Sequence, residues 1–224
     1  VVVVSGFRAQ NERKRRLEFA KLASTARNYH VLFVTDLTYG WYSRPGMLGR
    51  IEQFISEFAA THGLTDIVTL GESMGGYGAI ALARNLPVSH VAAFAPQILM
   101  TDDIISQKAW DPYRAGFNLD HLVRDLRPIL AARTSRVSIV IGDQFPNDIL
   151  QRHSLRGLED AIQLTVLPGV GHLCPRFLKG AGLLPDMVAA MLGDRGHDLT
   201  EISKRAVAAA QRALTKTRQA NQNN

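Results

Sequence analysis

Gly71-Glu72-Ser73-Met74-Gly75-Gly76 stands directly after the apolar run at 67–70 and directly before a segment with helical spacing. A Gly-x-Ser-x-Gly pattern between strand and helix puts its serine on a sharp turn. Strand and helix can approach across that turn only if the residues two before and two after the serine are small. Gly71 and Gly75 meet this demand. The turn is expected to lift the Ser73 hydroxyl above the sheet and to aim the Met74 amide where an oxyanion would develop. The same glycines also match the spacing of a dinucleotide loop, Gly71-x-Ser73-x-x-Gly76. That loop needs glycine where Ser73 stands and a carboxylate about 20 positions on, whereas the next strand ends Ala93-Phe94-Ala95-Pro96. No Gly-x-x-x-x-Gly-Lys-Ser/Thr phosphate loop occurs.

Outward from this turn, short runs rich in β-branched residues read as buried parallel strands at 1–4, 31–35, 67–70, 91–94, 137–141 and 162–167. Between them, 47–59, 76–86, 149–158 and 177–192 carry helical spacing, the last with a break near Gly180 and Gly182. This alternation predicts an α/β fold: a mostly parallel sheet of about six strands with helices on both faces. Residues 96–136 interrupt the rhythm beyond the end of a strand. They read either as a cap over a pocket or as a long crossover with one helix. The domain is expected to span 1–193. The remainder, 194–224, is a basic tail with a weak stripe at Ile202, Ala206, Ala209 and Ala213, expected to be helical or frayed and able to meet a partner or a second copy.

A serine hydroxyl needs a base. Among the seven histidines, His172 alone combines a strand end with a tight loop, in Leu167-Pro168-Gly169-Val170-Gly171-His172. The base needs a carboxylate to fix its tautomer. Gly142-Asp143-Gln144-Phe145-Pro146-Asn147-Asp148 offers Asp143 at the strand end and Asp148 where the next helix opens; Asp148 is slightly preferred, and its alternative role is an N-cap. The second oxyanion donor is sought after the first strand, in Ser5-Gly6-Phe7-Arg8, with the amide of Phe7 or Arg8 turned inward. Cys174 is read as structural filler.

Composition narrows the rest. At 224 residues the chain suits one well-buried domain, and 46% hydrophobic with 21% charged residues is ordinary for a globular protein. No apolar stretch reaches the roughly 20 residues that span a bilayer. The start on Val1–Val4 without methionine reads as a processed or partial chain beginning on a core strand. One cysteine excludes an internal disulfide and a cysteine-based zinc cluster, and the cytoplasm is the expected compartment. The net charge of +6 comes largely from Arg13–Arg16 and from 204–218, without interleaved aromatics, so no nucleic-acid partner is expected.

The glycine-flanked Ser73, the acid loop and the Gly171-His172 turn, in that order on alternating strands and helices, resemble the α/β-hydrolase superfamily over roughly 1–192. Gly40-Trp41-Tyr42, Tyr77-Gly78-Ala79 and Phe94-Ala95-Pro96-Gln97 resemble, less specifically, a bacterial subgroup linked to surface polysaccharide or glycoconjugate biosynthesis. In that subgroup an aspartate opening a helix recurs near the place of Asp148. The resemblance implies attack on an ester, thioester or amide carbonyl through an acyl-enzyme, without metal or organic cofactor. Trp41 and Tyr42 are then candidate substrate-binding residues. Three functions compete on this basis. They are hydrolysis of a small-molecule or glycan ester (an acetylated sugar among them), acyl transfer to a glycan, and a non-catalytic binding or assembly module on the same fold.

Overall fold

The computed structural model describes residues 1–4, 19–21, 30–132 and 134–222. Its strands are β1 (Val2–Val4), β2 (Leu32–Val34), β3 (Ile67–Glu72), β4 (Val88–Phe94), β5 (Arg136–Gly142) and β6 (Ile162–Leu167). They form one six-stranded sheet in the order β2-β1-β3-β4-β5-β6. Every neighbouring pair is parallel. The helices are α1 (Met47–Thr61), α2 (Met74–Leu82), α3 (Asp102–Ile105), α4 (Arg127–Ala131), α5 (Pro146–Ser154), α6 (Cys174–Gly180), α7 (Leu184–Met191) and α8 (Leu199–Gln222).

Alternation along each strand divides the core in two. Val2, Val4, Val91, Ala93 and Ile139 join Ile55 of α1, Ile80 of α2 and Leu155 after α5 in one cluster. Val3, Ala92, Phe94 and Val140 join Leu178 of α6, Met187 of α7 and Ile202 of α8 in the other. The inner strands β1, β4 and β5 are therefore apolar on both faces, which is why they read as largely hydrophobic runs, whereas β6 exposes Gln163 and Leu164. α2 lies deepest, with every residue buried. It needs no polar face, and its sequence has none.

The chain order reverses between β1 and β3: β2 lies on one side of β1 and β3 on the other. Open α/β sheets bind ligands at such a crevice, beyond the carboxyl ends of the strands. Ser73 follows the carboxyl end of β3, beside the crevice.

Two regions are left open by the sequence. The stretch beyond 194 is not frayed over its described length: α8 runs 24 residues and buries Ile202, Ala206 and Ala210 in the second cluster. The buried stripe thus advances to Ala210, while Ala213 is exposed and Ala209 only partly buried. Pairing of α8 with β6 and α7 supplies the apolar surface that its own composition does not reveal. Residues 96–136 fold onto the first cluster through Ile98, Met100, Trp110, Leu126 and Leu130. The phenol of Tyr77 ties this segment to α2, donating to Val123 O at 3.1 Å and accepting from Val123 N at 3.0 Å.

Candidate active site

The turn at Ser73 is strained in the way the sequence demands. Ser73 has φ 55° and ψ −121°, a conformation that side chains other than glycine rarely adopt. Its amide donates to Phe94 O at 2.8 Å, and its carbonyl accepts from Tyr77 N at 2.9 Å. A Cβ on Gly71 would lie 2.2 Å from the backbone of Gly75, so only glycine lets strand and helix meet there. Met74 begins α2 and its side chain is wholly buried. Its amide belongs to the first helical turn, whose N–H groups lack intrahelical acceptors and favour negative charge.

Ser73, His172 and Asp148 form one hydrogen-bonded chain. His172 Nδ1 lies 2.8 Å from Asp148 Oδ1, and His172 Nε2 lies 2.9 Å from Ser73 Oγ. With Nδ1–H donating to the carboxylate, Nε2 is the nitrogen left to accept the serine proton. Asp148 sits in the first turn of α5, where helix polarity favours a carboxylate; the N-cap is Phe145, not Asp148. Its side chain is 1% exposed, and Oδ2 has no hydrogen-bond partner among the described residues. The carboxylate therefore directs its charge at the imidazole. Phe145 leans on the His172 ring at a centroid distance of 5.2 Å. Asp143 points elsewhere. Its Oδ1 accepts from Gly169 N at 2.6 Å and closes the loop that carries His172.

Cys174 is buried, and its thiol contacts Gly171 O at 3.7 Å. Burial first, then the negative charges of Asp148 and Glu72, push this thiol well above the usual thiol range. It stays protonated and makes a poor nucleophile.

Gln97 is a neighbour of Ser73 that sequence reading did not single out as a site residue. Trp41 Nε1 donates to Gln97 Oε1 at 2.9 Å, which fixes the orientation of the amide. The Gln97 Nε2 group is thereby presented to Ser73 Oγ and to Ala95 O, each at 3.4 Å. Trp41 is itself 2% exposed and packs against Trp110 and Phe117, each at 5.0 Å between ring centroids. Trp41 thus reaches the site through Gln97. Tyr42, 1% exposed, lies against Gly78 of α2 and belongs to the core, not to an open binding wall.

The loop that carries these aromatics holds Tyr39, Trp41 and Tyr42 at positive φ, between 53° and 57°. The wholly buried Asp36 anchors it. One carboxylate oxygen accepts from the amide and hydroxyl of Thr38, and the other from the amides of Gly40 and Tyr42. Asp36 went unremarked in the sequence, although Asp-x-Thr-x-Gly is a turn signal. Phe7 and Arg8, the expected sources of a second oxyanion donor, lie outside the described residues.

Among the described residues no group of three or more His, Cys, Asp or Glu side chains is placed to hold a metal ion. No helix there is long and apolar enough to cross a membrane.

No protein-family model matches the sequence, and no curated protein matches it either. Solved structures do. The capsule O-acetyltransferase of Neisseria meningitidis serogroup A is similar with a TM-score of 0.56 and 17% identity, over 86% of each chain. An α/β-hydrolase enzyme from the metagenome of lagoon sediments at Mar Chica, Morocco, is similar with a TM-score of 0.55 and 16% identity, over 85% of this chain and 87% of that one. A structure from work on carboxylesterases of the thaumarchaeon Nitrososphaera gargenis gives a TM-score of 0.52 and 11% identity, over 86% of this chain and 90% of that one. At these identities the likeness is one of architecture. Together with the parallel sheet and its helical layers, it shows that the chain has the α/β-hydrolase fold.

Proposed function

We propose that the protein is a serine hydrolase that cleaves a carboxylic ester through an acyl-enzyme. The observation that carries this reading is the unbroken chain from Ser73 Oγ through His172 to Asp148, with contacts of 2.9 and 2.8 Å. In this reading Ser73 Oγ attacks the ester carbonyl carbon while its proton passes to His172 Nε2. The Met74 amide, at the positive end of α2, stabilises the oxyanion, with the amide of Phe7 or Arg8 as the second donor. Collapse of the tetrahedral species expels the alcohol, which takes the proton from His172. Water then repeats the sequence on the acyl-enzyme and frees the acid. Asp148 holds the imidazole in the required tautomer, and Asp143 shapes the loop beneath it.

Turnover of an aryl acetate, with mass detection of an acetylated serine peptide, tests the proposal. Wild type should turn over and accumulate acetyl on the peptide containing Ser73. Equal turnover in Ser73→Ala would refute it.

A second reading, acyl transfer to a hydroxyl such as that of a glycan, uses the same residues. The shelter beside Ser73 favours it: Gln97 and Trp41 are 4% and 2% exposed, and Trp110 of the 96–136 segment packs against Trp41. The Neisseria enzyme of similar fold is named as an acetyltransferase of this kind. Partition of the acetyl group between water and added sugars distinguishes transfer from hydrolysis.

A further inference from the structure

Beside His172 a groove of about 980 Å³ runs between the His172 loop, α6 and the second half of α8. Its volume is that of a small-molecule site. Leu173, Phe177, Ala213 and Leu214 give it apolar lining. Arg176, Arg212 and Lys216 also line it. Arg212 and Lys216 are four residues apart and so share one face of α8, and Arg176 comes from α6. None of these cations takes part in an ion pair among the described residues. The only acidic residue of α8, Glu201, stands about three turns before Arg212 and does not line the groove. The groove is thus lined by apolar and cationic side chains together, with no carboxylate among its lining residues.

We propose that this groove receives the leaving-group part of the substrate, and that this part is amphipathic and anionic: an apolar stem bearing a sulfonate, phosphate or carboxylate. The inference rests on the hydrolase reading for its direction. His172 is the residue that returns a proton to the departing oxygen, so the portion of substrate leading away past His172 is the alcohol side. An apolar stem covers Leu173, Phe177 and Leu214, and its anion meets the guanidinium groups of Arg176 and Arg212 and the ammonium of Lys216. The groove also explains a feature of the tail. α8 continues well beyond Ala210, its last fully buried residue, and that exposed extension is the part that forms the groove wall.

The test compares the acetate esters of 4-hydroxybenzenesulfonate and of phenol in wild type and in Arg212→Glu/Lys216→Glu, with phenyl acetate as the internal reference for folding and for the catalytic chain. The sulfonate ester should be preferred by about tenfold in kcat/KM, through a lower KM, and charge reversal should erase that preference. Calorimetry with 4-hydroxybenzenesulfonate on Ser73→Ala reads the groove without chemistry. Binding there that charge reversal abolishes supports the groove even if no ester is cleaved, an outcome that would instead fault the hydrolase reading. Equal kcat/KM for the two esters, with no difference in binding between the parent and the charge-reversed protein, would overturn the proposal.

Discussion

The two turns that supply Ser73 and His172 are built on different principles. The Ser73 turn is mostly local: β3, the turn and α2 are consecutive, its tightest approach is between Gly71 and Gly75, and the neighbouring β4 adds the acceptor Phe94 O. The His172 loop is held from outside. Asp143 bonds the amide of Gly169, Gln144 N donates to Val170 O at 3.1 Å, and Leu214 of α8 lies where a Cβ on Gly169 would meet it at 2.8 Å. A turn made by neighbours in sequence is rigid as soon as strand and helix form. A loop fastened by residues far along the chain is only as well placed as the elements that hold it. The proposed nucleophile is thus positioned mainly by its own segment, with one bond from Ser73 N to Phe94 O of β4, and the proposed base by the completed tertiary structure.

The largest effects are expected at the carboxylates. Asp148→Asn should lower kcat by about 10⁴-fold while leaving the fold intact, because the wrong tautomer is then presented to Ser73. Asp143→Asn should act through the loop, costing about 1–2 kcal/mol of stability and much less in kcat, since only a hydrogen bond to Gly169 N weakens. Steady-state kinetics paired with urea denaturation separates these effects. A larger loss of kcat in Asp143→Asn would reverse the assignment.

Next in size is Gly71→Ala. Its methyl would meet the backbone of Gly75, which cannot give way without parting β3 from α2, so unfolding free energy should fall by about 3 kcal/mol. Gly169→Ala should cost less, about 1–2 kcal/mol. There φ is 72°, and the obstacle is the side chain of Leu214, which can shift. Denaturant midpoints rank the two, and kcat in Gly169→Ala should fall more than stability alone explains. The smallest effect is expected at Cys174. Buried and held protonated, it should resist alkylation by iodoacetamide at pH 8 in the folded protein and react once denatured.

The same contrast explains what could be read in the sequence. The inner strands were legible because they are apolar on both faces, and β6, whose Gln163 is exposed, because of its β-branched and aliphatic content; the ends differ from expectation by a few residues at most, as in β4, which begins at Val88 instead of 91. The Ser73 turn was legible because its glycine spacing encodes its geometry locally. Choosing between Asp143 and Asp148 was not settled by spacing, because which carboxylate meets His172 depends on how α5 and the loop after β6 converge. Gln97 stood in a noted motif without a role, and Gln151 carried no local signal. The Gln151 side chain reaches back more than 50 residues to accept from Ile98 N at 2.7 Å and Leu99 N at 2.8 Å, pinning the segment after β4 that carries Gln97. The docking of α8 was hidden for a similar reason, since a stripe of Ile202, Ala206 and Ala210 looks too weak to bury until β6 and α7 are in place.

Reaction with a fluorophosphonate, read by intact mass and peptide mapping, tests Ser73 as the nucleophile. One adduct per chain is expected, located on Ser73, absent in Ser73→Ala and formed far more slowly in His172→Ala. No adduct on the folded wild-type protein, or an adduct at another serine that survives Ser73→Ala, would contradict it. The first of those results would favour a binding or assembly role for the same fold.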